Sequence, residues 1–126
     1  MRFGLTGDPS DLCGTSDGFR KLYFSERTPD AVLAGAARRF QPDSLRALNL
    51  DMTLGNRVTP ERVSTSLLVL GGQSDGTYTR TDVLTTAAAY RTVAEFFPET
   101  GHQMMLETTW GCVAERIHLW LVSQGL

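Results

Sequence analysis

The chain of 126 residues has few cysteines, little net charge and no long apolar run. Its two cysteines, Cys13 and Cys112, form neither a CxxC pair nor a metal-spaced cluster. This argues against a disulfide scaffold or a zinc finger and favours a reducing, cytoplasmic setting. A net charge of −2 offers no basic footprint for nucleic acid. The longest aliphatic run, residues 67–70, cannot span a bilayer, and the first residues lack the apolar stretch of a secretory signal. We therefore expect no nucleic-acid partner and no membrane partner.

The pattern of residue types changes between Asn56 and Arg62, which divides the chain into two parts. The first part, residues 1–60, is rich in turn formers and helical patterns and contains no convincing strand. Thr28 followed by proline and aspartate predicts a helix that begins with a hydroxyl N-cap and ends near Gln41. A second short helix is predicted from Pro42. This part is therefore predicted to be helical and rich in loops.

The second part, residues 61–126, shows two short apolar runs that are typical of strands. The apolar run at residues 66–70 is ended by Gly71 and Gly72, which predicts a parallel strand covered on both faces. Residues 93–97 predict a second strand, because a proline follows them. These runs predict a parallel sheet in the second part of the chain.

Two helices are predicted to follow these strands. Thr79 and Asp82 have the hydroxyl, x, x, acid spacing of a capping box. Apolar positions between Trp110 and Leu121 predict a last helix, which is stopped by Gly125. The order strand, helix, strand, helix is a βαβα unit with parallel strands, so the fold class is α/β.

The loops after the two predicted strands each carry one side chain suited to proton transfer. Asp75 lies in the first loop and His102 lies in the second. Neighbouring parallel strands end about 5 Å apart at the same edge of the sheet, so these side chains can meet. An aspartate that accepts a hydrogen bond from one imidazole nitrogen fixes the tautomer and stabilises the imidazolium. The sequence therefore predicts a proton-relay pair that still lacks a nucleophile.

These loops also resemble two motifs of a known family. Residues 68–75 are similar to the strand and acid loop of the α/β-hydrolase superfamily, and residues 97–107 are similar to its histidine loop. By this resemblance Asp75 matches the triad acid and His102 the triad base, in the family's chain order. Residues 19–56 resemble the cap over such active sites, so the resemblance extends over residues 19–126.

The resemblance implies a partial α/β-hydrolase fold, with a cap-like or lid-like segment at residues 1–60 and the C-terminal part of the core at residues 61–126. It implies a serine-hydrolase-like or esterase-like activity on a small ester-like substrate, with Asp75 and His102 catalytic and with no cofactor or metal. Little room remains for the strand–serine–helix elbow. We therefore expect a truncated hydrolase that is inactive alone, and that associates with itself or with an N-terminal hydrolase fragment.

Other interpretations stay open at this stage. Ser16 lies in a literal GxSxG, Gly14 to Gly18, and would make the chain a minimal esterase, although the turn-forming residues before it favour a loop. A non-catalytic binding or dimerisation module is another possibility, and the same relay also suits an aspartate nucleophile. Met104 and Met105 are expected to fill the core. Five aromatic or aliphatic residues either line an acyl pocket or pack the cap onto the core: Phe19, Leu22, Tyr23, Phe24 and Phe40.

Overall fold

The computed structural model describes residues 15–40 and 59–126. Within these ranges the chain forms a small mixed α/β domain of four α-helices and a two-stranded parallel sheet. The helix predicted from Pro42 and the residue Cys13 lie outside the described ranges. The elements are α1 (Ser16–Tyr23), α2 (Asp30–Ala37), β1 (Val69–Gly72), α3 (Arg80–Ala89), β2 (Ala94–Phe97) and α4 (Trp110–Ser123), with short 3-10 turns at Pro60–Arg62 and Met104–Leu106.

The predicted βαβα order is confirmed. Strands β1 and β2 run parallel, with Val69 opposite Ala94 and Gly72 opposite Phe97. Helix α3 connects the two strands and packs against both of them, and α4 follows β2. Both strands therefore end at the same edge, which is where the two polar loops begin.

Strand β1 begins three residues later than predicted and includes both glycines that were expected to end it. A Cβ at Gly71 would lie 2.9 Å from the Phe96 ring, and a Cβ at Gly72 would collide with the backbone carbonyl of Thr100. Glycine in a strand often marks such a close approach rather than a stop. Every strand residue except the buried Gly71 is only half-buried, which corrects the expectation that both faces of β1 are covered.

Helix α3 begins as predicted. The Thr79 hydroxyl accepts from the Asp82 amide, and the Asp82 carboxylate accepts from the Thr79 amide, so the capping box is confirmed. The apolar side of α3 is only partly covered, because Ala87 is buried while Leu84 is 45% exposed. The same holds for α4, where Val113 is buried and Trp110 is 58% exposed.

The helices of the first part differ from the prediction at their starts. Helix α1 was not predicted; Thr15 caps it by accepting from the Gly18 amide, at 3.1 Å, and Ser16 is its first residue. Helix α2 begins at Asp30 with Pro29, not Thr28, as its N-cap, and it ends at Ala37 rather than near Gln41. Thr28 fails to cap because its hydroxyl donates to a buried carboxylate instead.

The core of this part consists of Phe19, Phe24 and Leu33, with Tyr23 and Ala36 packed against it. Phe19 lies 5.6 Å from Phe24 between ring centroids, a usual separation for tilted aromatic pairs. These contacts hold α1 against α2. None of the helices in the two described ranges is long and apolar enough to cross a bilayer.

Candidate functional site

Backbone hydrogen bonds join the two loops at the carboxyl edge of the sheet. The Gln73 amide donates to the Phe97 carbonyl and the Ser74 amide donates to the Thr100 carbonyl, each at 2.9 Å. The absence of a side chain at Gly72 permits this approach. The loops therefore lie side by side, with a fixed register between them.

This register brings Asp75 and His102 together, as the loop positions predicted. The Asp75 Oδ2 atom lies 3.0 Å from His102 Nδ1, although the two residues are 27 positions apart in the sequence. The Asp75 side chain is 6% exposed and the His102 side chain 31% exposed. The carboxylate is therefore shielded, whereas the ring remains open to a reacting group.

The carboxyl of Asp75 is held in its charged form. Burial by itself would raise its pKa, but hydrogen bonds from His102 and from the Tyr78 and Thr77 amides outweigh that effect, so the pKa of Asp75 lies below its ordinary value. The two amides donate to Oδ1 at 2.9 and 2.7 Å. Within the described ranges, Oδ2 contacts the imidazole alone.

The charge on Asp75 fixes the tautomer of His102. An ionised carboxylate only accepts hydrogen bonds, so the proton of the short contact belongs to His102 Nδ1. In the neutral ring Nε2 then carries the lone pair. Within the described residues, Nε2 has no hydrogen-bond partner. This is the arrangement of a general base whose acceptor nitrogen is free to take a proton.

Aromatic rings and the end of α1 support the pair. The His102 ring lies 6.0 Å from the Tyr23 ring and 5.5 Å from the Tyr78 ring. The Thr77 hydroxyl donates to the Leu22 carbonyl at 3.0 Å, and Gly76 lies so close to the α1 backbone that a Cβ there would collide with it. Helix α1 therefore braces the acid loop.

A second buried carboxylate, which the sequence did not single out, lies beneath the histidine loop. Glu107 is 1% exposed, and four donors surround it. Oε1 accepts from the amides of Ser25, at 2.6 Å, and Gly101, at 2.7 Å. Oε2 accepts from the hydroxyls of Ser25, at 2.8 Å, and Thr28, at 2.5 Å. Two of these residues are about 80 positions away in sequence, so no local pattern reveals the cluster.

The structure does not bring Ser16 to this pair. Ser16 is the exposed first residue of α1, and seven residues at 1.5 Å each put it about 10 Å along the helix axis from Tyr23, which contacts His102. No hydrogen bond joins Ser16 to His102 in the part of the chain that is described. A helix follows Ser16, as an elbow requires, whereas residues 1–14 lie outside the described ranges.

An apolar cavity of about 330 Å³ lies next to the histidine loop. Its volume is at the lower end of the range for small-molecule sites. Phe19 and Phe24 belong both to the core and to the cavity wall, and an acyl pocket at this place stays a prediction. Met105 is 68% exposed, which corrects the expectation that it fills the core. The lining residues are Phe19, Phe24, Val32, Gly35, Ala36, Arg39, Phe40, Gln103 and Leu106.

Among residues 15–40 and 59–126, no three His, Cys, Asp or Glu side chains are grouped so as to hold a metal ion. Cys112 is exposed and unpaired by any disulfide, and His118 lies on the exposed side of α4. Compared with known proteins, the chain matches no family model, no curated protein and no solved structure.

Proposed function

We propose that the chain is the acid–histidine part of a serine-type hydrolase of the α/β-hydrolase kind, acting on a small ester-like substrate. The observation that carries this proposal is the 3.0 Å contact between a shielded, ionised Asp75 and Nδ1 of an accessible His102. Two independent donors hold the remaining oxygen of Asp75, so the relay is oriented before any substrate arrives.

In the proposed reaction His102 first accepts a proton and then donates it, once in the formation of the acyl intermediate and once in its hydrolysis. Nε2 removes the proton of a hydroxyl nucleophile as its oxygen bonds to the ester carbonyl carbon, and Asp75 stabilises the imidazolium that forms. When the bond to the alkoxy group breaks, Nε2 returns the proton to the leaving oxygen. Water then attacks the acyl intermediate, and Nε2 takes a proton from that water as its oxygen bonds to the acyl carbon. When the bond to the nucleophile breaks, Nε2 returns the proton to the nucleophile oxygen, and the carboxylic acid is released. A positioned base of this kind contributes about 10²- to 10⁴-fold in rate.

The nucleophile is the part of this proposal that lies outside the described residues. Within them no hydroxyl donates to Nε2 of His102. We therefore propose that the nucleophile comes from another polypeptide, such as an N-terminal hydrolase fragment, or from a part of the chain that is not described. A minimal esterase that uses Ser16 is the alternative, favoured by the helix that begins at this residue.

The apolar cavity is the proposed site for the acyl part of the substrate. Gln103, which directly follows His102, forms part of the wall, and Phe40 contacts Tyr23, which in turn contacts His102. The wall is mostly aromatic and aliphatic, so it suits a short apolar acyl chain rather than a charged group.

The test is hydrolysis of the activated ester p-nitrophenyl acetate by the purified chain, because this ester is reactive enough for His102 to activate water directly, with no nucleophile supplied by the protein. The chain has only two histidines, so His118 on the exposed side of α4 supplies a matched control. We expect His102→Ala to lower the protein-dependent rate by about tenfold or more, because the general base is lost. His118→Ala should retain the rate. Equal rates for the two variants would exclude His102 as the base.

Labelling by a fluorophosphonate separates the two sources of the nucleophile. A nucleophile outside the chain predicts no labelling of the chain alone. The minimal-esterase alternative predicts labelling that disappears in Ser16→Ala and in His102→Ala. Labelling that survives Ser16→Ala would instead assign the nucleophile to another residue of this chain.

A further inference from the structure

The buried carboxylate of Glu107 has no part in the proton transfers described above, yet it is among the most completely enclosed side chains of the described residues. Its four hydrogen bonds all come from neutral donors, and no lysine or arginine in the described ranges forms an ion pair with it. Burying a charge without a countercharge is costly unless hydrogen bonds satisfy it. A carboxylate at this position therefore calls for a reason beyond filling space.

Glu107 Oε1 connects the residue before His102 to the segment between α1 and α2. The Gly101 amide and the Ser25 amide both donate to this one oxygen. Gly101 is packed so closely that a Cβ there would lie 2.6 Å from the Phe24 backbone and 2.7 Å from Oε1. The residue after His102 is tied to the same segment, because the Gln103 amide donates to the Tyr23 carbonyl at 2.9 Å. His102 is thus fixed on both sides.

We infer that Glu107 is a positioning residue for the proposed relay: by bridging Gly101 and Ser25 through Oε1, it sets the His102 ring at bonding distance from Asp75. The inference rests on the proposed function, since it assigns Glu107 a purpose in that same site. Glu107 touches no reacting atom and acts only through the loop that carries His102.

The chemistry of the donors defines a conservative replacement. Backbone amides cannot accept a hydrogen bond, so the atom facing Ser25 N and Gly101 N must be an acceptor. The hydroxyls of Ser25 and Thr28 can accept as well as donate. Glutamine satisfies all four partners when its oxygen faces the amides and its NH₂ group faces the hydroxyls. Leucine satisfies none of them.

The experiment measures the ring ¹⁵N chemical shifts of His102 in the full chain, recorded on the neutral imidazole, with His118→Ala assigning the two histidines. In the unmodified chain we expect the Nδ1-protonated tautomer to predominate. Glu107→Leu should abolish that predominance, while Glu107→Gln should keep it. Glu107→Asp keeps the carboxylate but withdraws it by one methylene, so the charge remains while its distance from the donors changes. It should behave like Glu107→Leu.

Circular dichroism and cooperative thermal unfolding identify the variants that are folded. A folded Glu107→Leu or Glu107→Asp chain with an unchanged His102 tautomer would overturn the inference, because a purely structural Glu107 would leave the tautomer as it is. Asp75→Asn separates this failure from failure of the proposed function. If Asp75→Asn leaves the tautomer unchanged, the relay itself is wrong; if Asp75→Asn alters it and the Glu107 variants do not, only the positioning role is wrong.

Discussion

Asp75 and Glu107 are carboxylates with nearly inaccessible side chains. The pKa of each lies below the ordinary value for its residue type. Burial opposes the charged form in both cases. Hydrogen bonds from His102 and two amides outweigh it at Asp75, and hydrogen bonds from Thr28, Ser25 and Gly101 outweigh it at Glu107. Both carboxyl groups are therefore held in their charged form in the folded chain.

The first prediction concerns acid stability. A carboxyl whose pKa is lower in the folded state stabilises the fold above its unfolded pKa, and this contribution is lost as the pH falls through the folded value. We expect the melting temperature to be constant near neutral pH and to fall from about pH 5 downward. Thermal unfolding monitored by circular dichroism across this range checks the expectation.

The variant Glu107→Gln measures how much of the fall in melting temperature at acid pH is due to Glu107. It should flatten the acid-side decline, because glutamine binds no proton, whereas Glu115→Gln at an exposed site of α4 should leave the decline as it is. An identical decline in all three chains would contradict the assignment.

At the scale of elements, α2 forms one wall of the apolar cavity and contributes a glycine to it. Among the described residues, a Cβ at Gly35 would have only the Arg38 side chain within 4 Å, at 3.9 Å, so a larger side chain can enter the cavity without a clash with their backbone. Leucine is also the better helix former by about 0.8 kcal/mol, so the replacement should not harm folding.

We predict that Gly35→Leu lowers the His102-dependent hydrolysis of p-nitrophenyl butyrate several-fold more than that of p-nitrophenyl acetate. The reason is that the inserted side chain competes with the longer acyl chain for the cavity. Gly111→Leu is the matched control, because nothing lies within 4 Å of a Cβ at that position. If both variants lower the two rates by the same factor, the cavity does not bind the acyl chain.

At the scale of the whole molecule, the described part has a small core. Five apolar residues in it are buried, whereas α4 exposes large apolar side chains, including Leu119 at 56% and Val122 at 54%. These two residues lie three positions apart and share one helix face. Within the described ranges, β1 pairs with β2 alone, so its other edge has no strand beside it. Open strand edges and exposed apolar faces are typical places for another chain to bind.

We therefore predict that the chain associates with itself in the absence of another partner. Sedimentation equilibrium should show an average mass above 13.9 kDa that rises with concentration. Lysines replacing both Leu119 and Val122 should shift the equilibrium toward the monomer. Ala114→Lys, at another exposed site of α4, should not. A monomer that unfolds cooperatively at every concentration would contradict the prediction.

The order of the elements in the second part and the place of its polar loops could be predicted from the amino-acid sequence. Hydrophobic periodicity and the signals that begin or end an element are local properties of the sequence. The apolar runs, the Thr79 and Asp82 capping box and the terminal glycine were enough to predict the βαβα order. Because parallel strands end at one edge, this order also predicted the meeting of Asp75 and His102. Their catalytic role stays a prediction.

The residues that enclose the site depend on tertiary packing and could not be predicted from the sequence. The two glycines that were predicted to end β1 lie within it, where Phe96 and Thr100 approach their backbone closely. Thr28 was predicted to cap α2, but its hydroxyl donates to Glu107 instead. The donors of Glu107 come from positions 25, 28 and 101, and a hydrogen bond between such distant segments leaves no periodicity in the sequence. Burial and long-range pairing depend on how elements pack, and that packing is set by the chain as a whole.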